Sequence, residues 1–270
     1  MLNTAIWMSA FLTVGILLVI LGYILIGGIP HISWSFLTDI YKESTEEKGI
    51  LPMIINTMYL IVLTLLIAVP IGISSAIYLT QYARQGRMVR LIRFTTETLS
   101  GIPSIIYGLF GAALFVGLLG FGYSMLAGAM TLAIMVLPTI VRTTEEALLS
   151  VPPQYREGAL ALGANKLRVI IGIIVPSAMP GILTAIILSM GRIIGESAAL
   201  VFTAGMVTNM PDGFFSHIME SGRTLSLHLY SLAMRGESLD QTFATGAVLL
   251  IIVFALNRLA KALGKLATKK

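Results

Sequence analysis

Two ionisable residues interrupt an otherwise uncharged stretch, in the string Gly191-Arg192-Ile193-Ile194-Gly195-Glu196-Ser197-Ala198-Ala199-Leu200. In a membrane, an arginine at such a place costs about 2.5–3.5 kcal/mol on insertion scales, so residues of this kind usually face a water-filled path or a partner charge. Spaced four apart, Arg192 and Glu196 share one face of a helix. Two roles are open to them. They neutralise each other as a structural pair, or they form a transient site for a tetrahedral oxyanion, with the guanidinium fork donating to its oxygens and the carboxylate accepting from a protonated one. A carboxylate there favours phosphate, which keeps a proton at neutral pH, over sulfate, which keeps none. Ser197 adds a hydroxyl beside them. Arg142 is a second pathway candidate, its alternative being a side chain that reaches out to the headgroups.

Other chemistries find little support. His31, His217 and His228 are scattered at spacings that suit no helical metal pair, so no metal site is expected. The absence of cysteine removes disulfides, thiolate ligands and thiol nucleophiles together. Glu145-Glu146 resembles a carboxylate pair, but no histidine accompanies it, and a solvated helix end accounts for it better. The chain has no Gly-x-x-x-x-Gly-Lys-Ser/Thr stretch to cradle nucleotide phosphates. The expectation is therefore a chain without catalytic residues or a cofactor of its own, with any ATP used by another polypeptide.

The elements that position these residues are apolar. Of 270 residues, 56% are hydrophobic and 11% charged, against roughly 25% charged in a soluble domain. A bilayer crossing needs about 20 apolar residues, and six such runs occur, at about 5–29, 53–79, 98–122, 123–141, 177–205 and 242–257. None alternates with period two, so the fold class is all-α integral membrane, with six transmembrane helices. The first run lacks a basic start and a small-residue cleavage pattern, and is expected to be a retained helix. Fourteen methionines are ordinary apolar filler here. Pro70, Pro103, Pro138 and Pro180 interrupt four of the spans, as packing kinks or as breaks beside a cavity. Gly101, Ser104, Gly108 and Ala112 give the third run a face small enough for close helix approach. The organisation expected is a first helix and outer loop over 1–49, a helical core over 50–262, and a basic tail over 263–270.

Charge sets the orientation. The connection holding Asp39, Lys42, Glu43, Glu46, Glu47 and Lys48 sums to −2, and the next holds Arg84, Arg87, Arg90 and Arg93, a run of +4. The segment with Asp212, Glu220, Arg223, Arg235, Glu237 and Asp240 sums to −2, and the C-terminus, with Arg258, Lys261, Lys265, Lys269 and Lys270, to +5. This alternation places both termini in the cytoplasm. The sequence pI near 9.5 is then a topology signal rather than a sign of nucleic-acid binding.

The connection at 142–176 is the most informative. Ser150 is a candidate cap, Pro152 and Pro153 suit a first turn, and Gly163 stands where a left-handed helix stop belongs. A two-turn helix is expected between them. It carries Tyr155, Ala159 and Leu162 along one side as an apolar stripe that wants a groove in a partner.

Glu157, Gly158, Ala159, Gly163, Ile173, Val175 and Pro176 stand at the spacing of the EAA loop of ABC importer permeases, which this connection resembles, with Gly158 in place of an alanine and Val175 in place of a leucine. The resemblance implies that Tyr155, Arg156, Glu157, Gly158, Ala159, Leu162 and Gly163 belong to a helix that docks into a separate ATPase subunit. The string from Gly191 on to Phe202-Thr203-Ala204 resembles the helix-five signature of phosphate importer permeases of the PstA type. So do Gly101-Ile102-Pro103-Ser104-Ile105-Ile106-Tyr107-Gly108, Arg142-Thr143-Thr144-Glu145 and Leu229-Tyr230-Ser231-Leu232-Ala233. What the resemblance implies is the type I importer permease fold in a prokaryotic plasma (inner) membrane. It also implies a related second permease, two ATP-binding cassette subunits and an extracytoplasmic phosphate-binding protein. Import of another oxyanion, such as phosphonate, molybdate or sulfate, is the alternative within the class. A passive channel or ion-coupled carrier would have no use for a docking helix; that class and a scaffold without flux of its own would both return if no ATPase formed a complex with the chain.

Overall fold

The computed structural model describes residues 2–41, 49–211, 213, 215–236 and 238–267. The charges at 42–48, Asp212, Glu237, Lys269 and Lys270 that entered the orientation pattern lie outside the described residues.

Helix α1 (Leu2–Gly28) ends in a tight turn at Ile29–His31, and the short α2 (Trp34–Thr38) follows, capped by the Ser33 hydroxyl, which accepts from the Phe36 amide. α3 (Leu51–Ile77) runs on through a π-helical turn at Tyr78–Tyr82. α4 (Arg87–Ser100) and α5 (Ser104–Gly111) meet at a bend of 100°, and α5 extends through a π-helical stretch at Ala112–Leu118. α6 (Met125–Leu149) leads to the short α7 (Pro153–Ala161). α8 (Lys166–Val169), a π-helical turn at Ile170–Ile174 and α9 (Val175–Ile194) form one rod. α10 (Ala198–Val201), α11 (Leu225–Arg235) and α12 (Leu239–Ala267) complete the chain. Among the described residues there is no strand.

Among the described residues, five helices are long and apolar enough to cross a membrane, or six when the bent α4–α5 pair is counted as one span. Two expected spans change shape. The run 98–122 starts at the end of α4, turns at Gly101–Pro103 and enters the apolar layer only at Ser104. Pro103 has no amide hydrogen to continue α4 and instead occupies the N-cap of α5. The run 177–205 begins earlier, at Lys166, and stops at Ile194, because Gly195 ends α9. Pro70, Pro138 and Pro180, by contrast, lie inside continuous helices. The arginines at 87, 90 and 93 stand on a helix rather than in a loose connection.

α6 is the central helix, with α3 and α9 packed on it and Leu60, Leu132, Met135, Ile193 and Leu200 in the shared core. Ala147 of α6 lies against Gly181 near the start of α9, while Gly128 lies against Leu200 and Ala204 beyond its end, so the two helices run antiparallel. Small residues let backbones meet, as the sequence implies. A Cβ on Gly108 would stand 2.8 Å from the Ala199 backbone, and one on Gly111 would stand 2.1 Å from the Thr131 hydroxyl. Gly111 was not among the expected contact residues, and Gly101 marks the bend instead. α1 stands apart, lying against α12 where a Cβ on Gly28 would meet the Phe243 carbonyl oxygen at 2.2 Å.

Candidate functional site

Arg192 lies in the last turn of α9, where a cation suits the helix dipole. The helix ends at Gly195, so the shared face expected for residues 192 and 196 is lost and no ion pair joins them among the described residues. Glu196 is 9% exposed and bonds other groups: its Oε1 accepts from the Ala199 amide at 3.0 Å, and its backbone carbonyl accepts from the Ser226 hydroxyl at 2.6 Å. Ser197 takes the N-cap position of α10, but the Glu196 carboxylate rather than its own hydroxyl does the capping. Arg192 is half-buried near Tyr107 of α5 and, among the described residues, has no ion pair or side-chain hydrogen bond. Among the described residues, the guanidinium therefore keeps its donors free, and the second oxygen of the Glu196 carboxylate, four residues on, has no protein donor either.

Arg142 is in a different setting. Its guanidinium bonds Glu97 of α4 and, at 3.3 Å, Glu146 one turn along α6. Next to it, Arg93 of α4 bonds Glu145 at 3.2 Å. These five side chains, with Thr96 and Leu149, line a cleft of about 170 Å³. Two arginines against three glutamates leave the cleft net negative, which disfavours an anion there. Glu145 is 7% exposed, so the solvated helix end expected of Glu145-Glu146 holds for Glu146 alone. From the contacts between α6 and α9, Arg192 stands level with roughly residue 136, about 9 Å along the helix from Arg142 at 1.5 Å per residue. The two arginines do not share a site.

α7 forms between the expected limits, but its start is different. Ser150 closes α6, its hydroxyl donating to the Ala147 carbonyl, while Pro152 takes the N-cap of α7 and Pro153 its first turn. Gly163, with φ +84°, supplies the left-handed stop. The apolar stripe divides. Ala159 is buried with Leu79, Val89, Leu148 and Ile170, fastening α7 to its own chain, whereas Tyr155 and Leu162 are 56% and 91% exposed. Arg156, Glu157 and Gly158 are exposed as well. Gly158 has no neighbour within 4 Å of where a Cβ would stand.

A third cluster was missed in the sequence. Arg223, counted there as a loop charge, is 4% exposed, its Nε donating to the Met206 carbonyl and its guanidinium 5.9 Å from the centre of the Tyr41 ring. His217 is buried, with Nδ1 2.9 Å from Glu220 and Nε2 2.8 Å from the Asn56 side-chain oxygen. Asn56 in turn donates to the Arg223 carbonyl. His228 packs edge-on to Tyr41 and lies 3.5 Å from Arg223. This network ties the segment after α10 to the start of α3. The only hint in the sequence is Asn56-Thr57 within an apolar run.

The family model described as binding-protein-dependent transport system inner membrane component matches residues 68–269. The chain is 36% identical over 275 aligned residues to the probable ABC transporter permease protein YqgI of Bacillus subtilis, covering 97% of this chain and 94% of that one. It is 39% identical over 198 residues to the phosphate transport system permease protein PstA 1 of Mycobacterium tuberculosis, covering 73% of this chain and 64% of the other. With the PstA of Pasteurella multocida, identity is 41% over 177 residues, 66% of this chain and 63% of that protein. Among solved structures, the fold matches a chain of a bacterial alginate ABC transporter in complex with an alginate pentasaccharide-bound periplasmic protein, with a TM-score of 0.68 at 16% identity over 100% of this chain and 93% of that one. It also matches a chain of the inward-facing MetNI methionine ABC transporter, with a TM-score of 0.61 at 18% identity over 82% and 94% of the two chains. The spans and these likenesses agree: the chain belongs to the family of binding-protein-dependent transport system inner membrane components, and is a multi-pass permease subunit of an ABC importer.

Proposed function

We propose that this chain forms half of the pathway through which an ABC importer takes up inorganic phosphate by alternating access. The observation that carries the proposal is Arg192, a half-buried guanidinium without a protein partner among the described residues. The identity of 39–41% to permeases named for phosphate transport supports the choice of solute. Arg192 offers donors to the phosphate oxygens, Glu196 accepts from the protonated oxygen through its free Oε2, and Ser197 lies within the same break. Arg142, held by two carboxylates, is assigned to the inner end of the pathway rather than to the anion site.

α7, with Tyr155, Arg156, Glu157, Gly158, Leu162 and the stop at Gly163, is the surface for a separate ATP-binding cassette subunit, and Ala159 holds it in place. ATP is used in that subunit, and this chain binds no cofactor. The complex consists of this chain, a related second permease, two ATPase subunits and an extracytoplasmic phosphate-binding protein, in the plasma membrane of a prokaryote with both permease termini inside. Residues 1–49 are the peripheral first helix and outer loop, 50–262 the transporting core and 263–270 a cytoplasmic tail. The test is uptake of labelled phosphate by proteoliposomes holding the whole complex. Phosphate should accumulate only with ATP, and a tenfold excess of sulfate should leave uptake within twofold. Strong competition by sulfate overturns the role given to Glu196, and ATP-independent flux overturns the importer mechanism.

A further inference from the structure

α4 is a helix of 14 residues that buries one side chain, Val89. One apolar contact near its first turn does not fix the far end of such a helix. The rest of that face continues at helical spacing as Arg93 and Glu97, both of which bond carboxylate or guanidinium groups on α6. The inner end of α6 leads through Ser150 directly into α7, and Val89, Leu148 and Ala159 lie in one apolar cluster. At its other end α4 turns into α5 through Gly101–Pro103, and the Tyr107 hydroxyl donates back to the Leu99 carbonyl at 2.7 Å across that bend. α5 then meets Ala199 at Gly108, next to the Glu196-capped turn.

We propose that the Arg93–Glu145 and Glu97–Arg142–Glu146 pairs are a permanent clasp that makes α4 move with α6 and α7, and so carries ATPase-driven motion through the α4–α5 bend to the break at Arg192. Arg93, Glu97, Arg142 and Glu145 are positioning residues that never touch the solute. The clasp rests on the reading of α7 as the ATPase surface, though not on the identity of the solute. Because Glu145 is buried and, among the described residues, pairs with Arg93 alone, this pair carries more of the clasp than the exposed Arg142 contacts.

The whole complex is reconstituted in proteoliposomes with Arg93→Gln, with Glu145→Gln, and with the exchange Arg93→Glu plus Glu145→Arg. Each single change is expected to lower solute uptake at least fivefold while ATP hydrolysis falls less than twofold, and the exchange to restore at least half of the uptake. Glu97→Gln, at an exposed position, gives the same uncoupling in smaller degree and serves if a change at Glu145 prevents folding. The natural chain has no cysteine, so spin labels at Met88→Cys and Leu149→Cys report the α4–α6 distance directly. That distance should stay constant between nucleotide-free and vanadate-trapped complexes and broaden in Glu97→Gln. Single variants that leave uptake unchanged, an exchange that rescues nothing, or a distance that changes on trapping each overturn the clasp. Loss of the ATPase from purified complexes of Tyr155→Ala tests the α7 reading separately, before any label is read.

Discussion

Arg192 and Arg142 are the same side chain on two antiparallel helices, yet the protein treats them differently. Arg142 spends its donors on Glu97 and Glu146, in a cleft whose carboxylates outnumber its guanidinium groups. Arg192 stands in the last turn of α9, and the carboxylate four residues away bonds the Ala199 amide instead of pairing with it. A charge already matched by the protein has little left for a passing anion, whereas an unmatched one inside an apolar layer raises the cost of the empty state and lowers it when an anion arrives. Under the proposed function, fastening falls to one arginine and solute contact to the other.

The strongest way to break that assignment is kinetic. Arg192→Gln is expected to reduce phosphate uptake by about 100-fold, the loss of about 3 kcal/mol in charge-assisted hydrogen bonding, while the subunits still co-purify. Arg142→Gln should lower the maximal rate with an unchanged half-saturating concentration. If both variants weaken apparent affinity equally, the two sites are one. Next in size is Gly111→Val, which places carbon against Thr131 where a Cβ already stands at 2.1 Å. Forcing α5 off α6 should cost about 1–3 kcal/mol or more and appear as a lower yield of assembled complex.

His217 sharpens the rule from a third region, because a buried side chain with all its partners should behave as Arg142 does. His217→Ala leaves Asn56 and Glu220 without their partner, at about 1–3 kcal/mol. Thermal unfolding in detergent should then fall by several degrees with phosphate affinity unchanged. The smallest effect belongs to Gly158→Ala. With open space around it, the new methyl should strengthen α7 by up to about 1 kcal/mol and leave ATPase docking the same or a few-fold tighter in a co-purification titration.

Much of this was legible in residues whose signals are local. Apolar run length marks the spans, Pro153 and Gly163 bracket α7, and Gly108 announces a close helix contact. What was hidden depends on tertiary partners. Nothing local in Arg142 tells that Glu97, 45 residues away, will hold it, and nothing near Arg223 predicts burial under Tyr41. The four-residue spacing of Arg192 and Glu196 misled for the opposite reason: it is a helical rule applied across Gly195, where the helix stops. Ala159 shows the same limit, since periodicity placed it on a stripe with Tyr155 and Leu162 but not the core residues that cover it.

The π-helical turns at Tyr78–Tyr82 and Ile170–Ile174 flank the place where α7 joins the bundle, and Leu79, Ile170 and Ile174 lie in its apolar cluster. A turn of that kind stores one surplus residue within a rod. Releasing it at one level and taking it up at another swivels the segment between the two levels by roughly 100°, the arc of a single residue at 3.6 per turn, without opening the rod. Under the role proposed for α7, the two spans nearest to it therefore carry their own swivel joints, and a push there has a way to turn part of each rod.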